Sequence, residues 1–221
     1  MQDSLQSKLG TWRIDEELVE KLARHASYGE YRRFARHQML YEQGEVSRKF
    51  YFIQSGLVQV SIIRLDGSQV ILEFMGSQTI CGEGSAFDRL PRFSSAVAAE
   101  DTEAIEFDTS KMDDLFARHP QFASALLRVT SLKQRVLAIR LEHLTSREPE
   151  ERILDLLSRL REMFSVPHAE GHLLVTYLTH EQIAAMTGTS RVTVTRALSR
   201  MREQRMIDVI DRHILIRTLG R

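Results

Sequence analysis

The sequence predicts an α+β fold made of an antiparallel β-roll of the jelly-roll kind, a long helix, and a winged helix-turn-helix. Three observations predict it. Short β-like segments broken by glycines fill residues 33–108, an unbroken helical pattern runs over 121–144, and a capped helix-turn-helix pattern occupies 179–201. We place the domains at residues 1–119, 120–147 and 148–221.

A short amphipathic helix is expected first, because residues 14–23 alternate apolar and charged side chains at helical spacing. The β-like segments that follow are KFYFIQ, LVQVSIIR, QVILEFM, SSAVAA and AIEF. Asp66-Gly67, between the second and third segments, predicts a hairpin turn. Several short strands at this spacing favour a closed antiparallel structure, whose interior offers a ligand pocket.

The long helical pattern bears two apolar stripes. One recurs in heptads and predicts the seam of a homodimer, formed by Phe122, Val129, Leu132, Val136 and Ile139. The other is predicted to face the β domain and comprises Leu126, Lys133, Leu137, Leu141 and Leu144. The alternative is a monomeric helix buried across the core.

The C-terminal part begins with Glu148-Pro149-Glu150, a helix-starting signal, and the helix is expected to reach Phe164. A short β segment is expected over residues 172–177. After the helix-turn-helix, residues 206–210 and 214–218 flank Asp211-Arg212 and predict the hairpin of a wing.

Local signals fix the helix-turn-helix. Thr179 and Gln182 form a capping box, Gly188 supplies the turn, Ser190 caps the second helix, and Ala184 is small enough for two helices to cross. The predicted core positions of the second helix are Val194, Ala197, Leu198 and Met201.

Charge is concentrated at this end of a neutral chain. The whole sequence has 30 basic and 30 acidic residues, yet residues 177–221 contain eight arginines against four acids, a balance of +4. Such a local basic surface favours double-stranded DNA as a partner. The residues predicted to contact DNA are Thr179, His180, Ser190, Arg191, Thr193, Arg196 and Arg200. The alternative is an ordinary αα-hairpin with a solvated basic face.

The rest of the composition favours a cytoplasmic protein without a membrane partner. There is no apolar run long enough to span a bilayer and no secretory leader. The single cysteine, Cys81, cannot form an internal disulfide, which fits a reducing compartment.

The order of β-roll, long helix and winged helix-turn-helix resembles the superfamily of the cyclic-AMP receptor protein and the fumarate–nitrate regulator. The residues of this resemblance are Gln43-Gly44-Glu45, Phe52-x-x-x-Gly56 and the run SRVTVTR from Ser190 to Arg196. The segments FSVPHAEG, THEQIA and RVTVTR look most like the nitrogen-control regulators that sense 2-oxoglutarate.

The resemblance implies an effector-responsive homodimeric bacterial transcription regulator with a cyclic-nucleotide-binding-like β-roll. Its partners would be a two-fold symmetric DNA site, a second copy, RNA polymerase and a small-molecule effector. By the same resemblance Arg191, Thr193 and Arg196 read or anchor DNA. Val192 replaces the glutamate of the cyclic-AMP receptor, and valine can contact only a thymine methyl, so the half-site preference should differ there.

Cyclic AMP is one candidate effector. Gly82 and Glu83 match the family's ribose-binding pair, but Arg92 is separated from Ser94 and Ser95, where the family joins arginine to serine. Leu137 and Ala138 also stand where the family places hydroxyls against adenine, and unmet buried polar groups cost about 1–3 kcal/mol each.

A small dianion such as 2-oxoglutarate is slightly favoured, because Arg92 and Lys133 match cationic positions of the nitrogen regulators. The pocket segment that ends in Glu83-Gly84 puts an acid where those regulators have apolar residues, so Glu83 would repel a dianion unless paired with Arg89 or Arg92. An alternative is an Arg92–Glu83 salt bridge that closes an empty pocket in a ligand-independent regulator.

Other classes fit less well. One cysteine cannot hold a four-cysteine iron–sulfur cluster, scattered histidines show no metal-ligand spacing, and haem is not favoured, so we expect no cofactor and no metal. No nucleophile–base constellation or P-loop appears, so no catalytic residues are expected. A cyclic-nucleotide-binding scaffold remains an alternative that the salt dependence of DNA binding would distinguish.

Overall fold

The computed structural model describes Ile14 and residues 16–217. The chain divides into two compact units, Trp12–Gln134 and, towards the C-terminus, Arg135–Arg221. The division lies within the long helix. Each unit is described in turn.

The N-terminal unit begins with one short helix and is otherwise rich in strands, with two further short helices before the long one. Its elements are α1 (Glu16–Ala23), β1 (Glu30–Phe34), β2 (Met39–Tyr41), β3 (Lys49–Ser55), β4 (Leu57–Ile63), β5 (Gln69–Gly76), β6 (Thr79–Cys81), α2 (Glu83–Asp88), β7 (Ser95–Ala98), β8 (Thr102–Asp108), α3 (Met112–Arg118) and the start of α4 (Pro120–Ser146).

The strands form two antiparallel four-stranded sheets, in the orders β1-β8-β3-β6 and β2-β7-β4-β5. The predicted β-roll is confirmed. Each of the five predicted β segments corresponds to one strand, with Arg64, Ser94 and Ala99 falling just outside their strands. Asp66-Gly67 closes the β4–β5 hairpin, where Gly67 takes a φ of +80° and the Asp66 carboxylate accepts a hydrogen bond from the Ser68 amide at 2.9 Å. A glycine is favoured here because the left-handed region costs it no steric strain.

Aromatic rings join the long helix to the β-roll. The ring centroids of Phe50 and Phe107 lie 5.2 Å apart, and Phe122 of α4 lies 5.5 Å from Phe107. All three side chains are fully buried. A buried Phe→Ala change typically costs about 3–5 kcal/mol, so the first turns of α4 are an integral part of this unit.

The predicted dimer seam is wrong in its N-terminal half. Phe122 and Val129 belong to the hydrophobic core of their own chain, and Leu132 packs against that core. Val136 is fully buried and Ile139 half-buried. The heptad pattern correctly predicted an apolar face, but a β-roll surface can satisfy such a face as well as a second helix can.

The second stripe also differs from its prediction. Leu126 is buried and Lys133 reaches into the β-roll, as expected, but the remaining leucines face solvent. Leu137 is 56% exposed and Leu141 is 65% exposed. Together with Leu127, which is also exposed, and Leu144, they form an apolar stripe along α4. We call these four residues the leucine stripe.

The C-terminal unit contains the rest of α4, three further helices and one antiparallel sheet. Its elements are α5 (Pro149–Phe164), β9 (Ser165–His168), β10 (Gly171–Leu174), α6 (His180–Thr187), α7 (Arg191–Glu203), β11 (Ile207–Ile210) and β12 (His213–Arg217), and the sheet order is β11-β12-β10-β9.

The predicted winged helix-turn-helix is confirmed in this unit. Asp211 and Arg212 both have positive φ, of 47° and 71°, and close the β11–β12 hairpin of the wing. Helix α5 begins at Pro149, as predicted, and the Glu148 amide donates to the Glu151 carboxylate at 3.1 Å. Thr218, the predicted end of the wing, lies outside the described residues.

Candidate nucleic-acid interface and ligand pocket

The caps of α6 and α7 set the geometry of the helix-turn-helix. Thr179 and Gln182 exchange capping-box hydrogen bonds of 3.1 and 2.8 Å, and the Ser190 hydroxyl accepts from the Thr193 amide at 3.1 Å. Gly188 ends α6 in the left-handed conformation, with a φ of 60°. All three caps were predicted. The Thr179 and Ser190 hydroxyls each accept from a backbone N–H that the helix leaves unpaired, and the Gly188 N–H donates to the Ala184 carbonyl oxygen at the other end of α6.

Apolar side chains are buried on both helices of the motif. Ile183 and Ala184 of α6 are buried, as are all four predicted core positions of α7. This packing turns the opposite face of α7 to solvent.

Arg152 holds the turn from outside the motif, a role that the sequence did not indicate. Its guanidinium donates to the carbonyl oxygens of Thr187 at 2.8 Å and Gly188 at 3.2 Å. A third bond, of 2.8 Å, reaches the Arg147 carbonyl. A cation at the end of α6 also stabilises the negative end of its dipole.

Two arginines on the exposed face of α7 have no partner for their charge in the part of the chain that the structure describes. Arg191 and Arg196 are exposed, and the structure shows neither an ion pair nor a hydrogen bond for either guanidinium within residues 16–217. Val192 lies beside them and is 58% exposed. This face can therefore offer two unneutralised cations and an apolar side chain to a ligand.

The other predicted contact residues are already engaged to different degrees. Arg200 forms an ion pair of 2.5 Å with Glu150 of α5, so its charge is partly neutralised. The Thr193 and Ser190 hydroxyls lie 2.9 Å apart. The His180 Nδ1 atom lies 2.8 Å from the Thr195 hydroxyl, which links the start of α6 to the middle of α7.

In the N-terminal unit, Arg92 is buried and bound to main-chain oxygens. Its guanidinium donates to Lys49 O at 2.6 Å and to Gly82 O at 3.0 Å, and lies 4.1 Å from the centre of the Tyr41 ring. The Glu45 carboxylate lies 3.9 Å from Nε. Arg92 thus makes contacts other than the Glu83 salt bridge of the alternative interpretation.

Glu83 pairs with Lys133 instead. The Lys133 ammonium donates to the Glu83 carboxylate and to the Ile80 carbonyl, both at 2.6 Å. The Glu83 side chain is 11% exposed and the Lys133 side chain is 13% exposed. The neighbouring Gly82 takes a φ of +81°, and a Cβ there would stand 2.9 Å from Arg92 Nη1, so a side chain would clash with the guanidinium.

The remaining predicted pocket residues lie close by, with different surroundings. Ser94 is buried and its hydrogen bond to Tyr41 opposes the effect of burial, which raises the pKa of that phenol. Ser95 is buried too and accepts from the Gln43 amide at 2.9 Å. Gly84 is exposed at the start of α2. The candidate pocket residues thus comprise a buried arginine, a lysine–glutamate pair and two buried serines.

The sequence matches two family models, one in each unit. Residues 31–119 match the cyclic nucleotide-binding domain, and residues 151–221 match the Crp-like helix-turn-helix domain. No helix in the part of the chain that the structure describes is long and apolar enough to cross a membrane.

Relatives of known function cover most of the chain. A CRP-like cAMP-activated global transcriptional regulator of Mycobacterium tuberculosis is 32% identical over 184 residues, covering 83% of this chain and 82% of its own. A global nitrogen regulator of Nostoc is 26% identical and covers 83% of each chain.

A solved structure shares the fold. A CooA mutant from Carboxydothermus hydrogenoformans superposes with a TM-score of 0.75 at 18% identity, over 95% of this chain and 96% of its own. With its β-roll, long helix and winged helix-turn-helix, the chain belongs to the CRP/FNR family of transcription regulators.

Proposed function

We propose that this chain is a homodimeric, effector-responsive transcription regulator that binds a two-fold symmetric DNA site. The observation behind the proposal is the exposed face of α7, where Arg191 and Arg196 are without ion pairs among the described residues. A recognition helix of this kind enters the major groove, and guanidinium groups there bind guanine edges or phosphates.

The leucine stripe supports the homodimer. Leu127 and Leu141 are fourteen positions apart, and Leu137 and Leu144 are seven apart, so all four fall on the a and d positions of one heptad frame. Exposed leucines in this frame cost free energy in water, and a second copy of α4 would bury them. Two-fold symmetry would then present two copies of α7 to two half-sites.

Selection from a random duplex pool, followed by fluorescence anisotropy at several salt concentrations, tests the DNA-binding proposal. We expect a palindromic site. We also expect the logarithm of the association constant to decrease linearly with the logarithm of the salt concentration. Arg191→Gln should weaken binding to all duplexes and reduce the salt slope by about one for each phosphate that it no longer neutralises. A salt-independent affinity, or no selected sequence, would contradict the proposal and favour a scaffold.

A small dianion such as 2-oxoglutarate is our first candidate effector, supported by the two cations, Arg92 and Lys133, beside the β-roll interior. Arg92 Nε has no hydrogen-bond partner among the described residues. A dianion would have to compete with the Glu83 carboxylate for Lys133, which makes the site selective for ligands that bind cations strongly.

The Glu83–Lys133 pair also favours a second candidate, a regulator that needs no effector. In this alternative the Glu83 carboxylate takes the place of a ligand's anion and Lys133 keeps α4 against the β-roll permanently. Thermal unfolding with 2-oxoglutarate, cyclic AMP and cyclic GMP distinguishes the two. A ligand at a hundred times its Kd adds about 2.7 kcal/mol of stability, whereas an effector-independent regulator should show no shift and bind DNA alone.

A further inference from the structure

Two methyl-bearing side chains occupy neighbouring positions on the exposed face of α7. Val192 and Thr195 are three residues apart, so their side chains are adjacent on the helix surface. Both are exposed. Arg191 precedes them and Arg196 follows them in the sequence, and neither guanidinium has an ion pair among residues 16–217.

The hydroxyl of Thr195 is already occupied within the protein. It donates its only proton to the Arg191 carbonyl at 2.9 Å. It can therefore only accept at the 2.8 Å contact with His180, which requires the hydrogen to be on Nδ1 of the imidazole. With the oxygen held towards the backbone and His180, the methyl group is the part of Thr195 left for a ligand.

We propose that Val192 and Thr195 together read thymine methyl groups in the major groove, with His180 as a positioning residue that fixes the Thr195 side chain. The inference rests on the proposed function, in which α7 enters that groove. Thymine is the base whose major-groove edge bears a methyl group, and apolar side chains recognise it by contact. Each selected half-site should then contain a thymine opposite this surface.

Deoxyuridine provides the sharpest test, because it pairs like thymine and lacks only the 5-methyl group. A duplex selected from a random pool is remade with each thymine of both half-sites replaced in turn, and Kd is measured by fluorescence anisotropy. We expect one or two positions at which Kd increases about fourfold when the methyl group is removed.

Matched variants at Thr195 separate its methyl group from its hydroxyl. Thr195→Ser keeps both hydrogen bonds and removes the methyl group. At one of the sensitive positions, this variant should bind the duplex with thymine and the duplex with deoxyuridine equally well. Thr195→Val has a methyl group at both γ positions, so it should retain the preference even though it loses the hydrogen bond to His180. Val192→Ala should lose the preference at the other position.

The role of His180 is tested by the thymine preference, which is the ratio of the Kd for the uracil duplex to the Kd for the thymine duplex. His180→Asn places an amide N–H near the position of Nδ1–H and should retain the thymine preference. His180→Ala should reduce it, although Thr195 itself is intact. A general loss of folding would weaken binding to both duplexes alike and leave this ratio unchanged. An unchanged ratio in His180→Ala would therefore overturn the positioning role.

The outcomes separate this inference from the proposed function. Tight binding to a selected duplex with no effect of deoxyuridine at any position would overturn the methyl readout alone, as would a selected half-site without thymine. Failure to select any sequence would overturn both. An equal thymine preference in the wild-type protein and Thr195→Ser would remove Thr195 from the reading surface.

Discussion

Lys133 and Glu83 form a nearly buried ion pair in which the ammonium lies 2.6 Å from the carboxylate and 2.6 Å from the Ile80 carbonyl oxygen. Removing one partner leaves the other charge without its main compensation in a poorly solvated place. Such a loss typically costs about 3–5 kcal/mol. We expect Lys133→Met to lower the free energy of unfolding by about this amount, measured in urea by circular dichroism.

The matched control is the double variant Glu83→Gln with Lys133→Met, which leaves no isolated charge. It should be less destabilised than Lys133→Met alone, because replacing a buried pair by neutral groups is often close to neutral. A double variant as unstable as the sum of the single variants would show that the two charges do not interact.

Local signals explain why the helix-turn-helix was predictable. Thr179, Gly188 and Ser190 act within a few residues of themselves, through caps and a left-handed turn that depend little on the rest of the fold. The same is true of the Asp66-Gly67 hairpin.

The partners of α4 and of the pocket residues depend on distant contacts, and the sequence could not assign them. A heptad pattern of apolar residues predicts that one face of a helix is buried, but it does not indicate what covers that face. For Phe122 the covering surface is the β-roll core. Similarly, the sequence offers the nearby Arg89 and Arg92 as partners for Glu83. Its partner is Lys133, fifty residues further along the chain.

Disruption of the leucine stripe should separate the protomers without unfolding them. Leu137 is exposed in the single chain, so Leu137→Glu buries no charge unless a dimer forms. We expect light scattering to give half the wild-type mass, and DNA affinity to decrease because linked half-sites gain affinity from each other.

Gln121→Glu is the control, since Gln121 is exposed near the start of α4 and outside the stripe. It should leave both the mass and the affinity unchanged. Val136→Glu should instead reduce the amount of folded protein, because Val136 is fully buried. A monomeric wild-type protein would contradict the proposed seam.

Cys81 should be inert to thiol reagents in the folded protein. Burial raises the pKa of its thiol to about 12, while the charge on Lys133 opposes the shift. At pH 8 a thiol with that pKa is ionised to about one part in ten thousand, against roughly a quarter for an ordinary cysteine with a pKa near 8.5. We expect labelling by a chromogenic disulfide to be slow without denaturant and stoichiometric in urea.

The same shift predicts a dependence of stability on pH. Because the folded pKa lies above the unfolded one, the unfolded chain ionises first, and stability decreases as the pH rises from about 8.5 towards 12. Cys81→Ala should remove this contribution, so the difference in unfolding free energy between variant and wild type should change between pH 8 and pH 10. A constant difference would contradict the raised pKa.

Glu150 should limit the contribution of Arg200 to DNA binding. Their 2.5 Å ion pair neutralises part of the Arg200 charge, whereas Arg191 and Arg196 have no such pair within the described residues. Glu150→Gln should therefore tighten DNA binding and steepen its salt dependence by up to about one for each recognition helix, since another cation becomes available to phosphate. Anisotropy over a salt series measures both quantities.

Arg200→Gln should weaken binding less than Arg196→Gln in wild-type protein, and the difference should narrow in the Glu150→Gln background, where Arg200 is released. The control for a general change in charge is Glu100→Gln, which removes an exposed acid from the N-terminal unit. It should leave the salt slope unchanged, because this substitution releases no cation to phosphate. If Glu100→Gln and Glu150→Gln tighten binding equally, net charge and not the release of Arg200 governs the affinity.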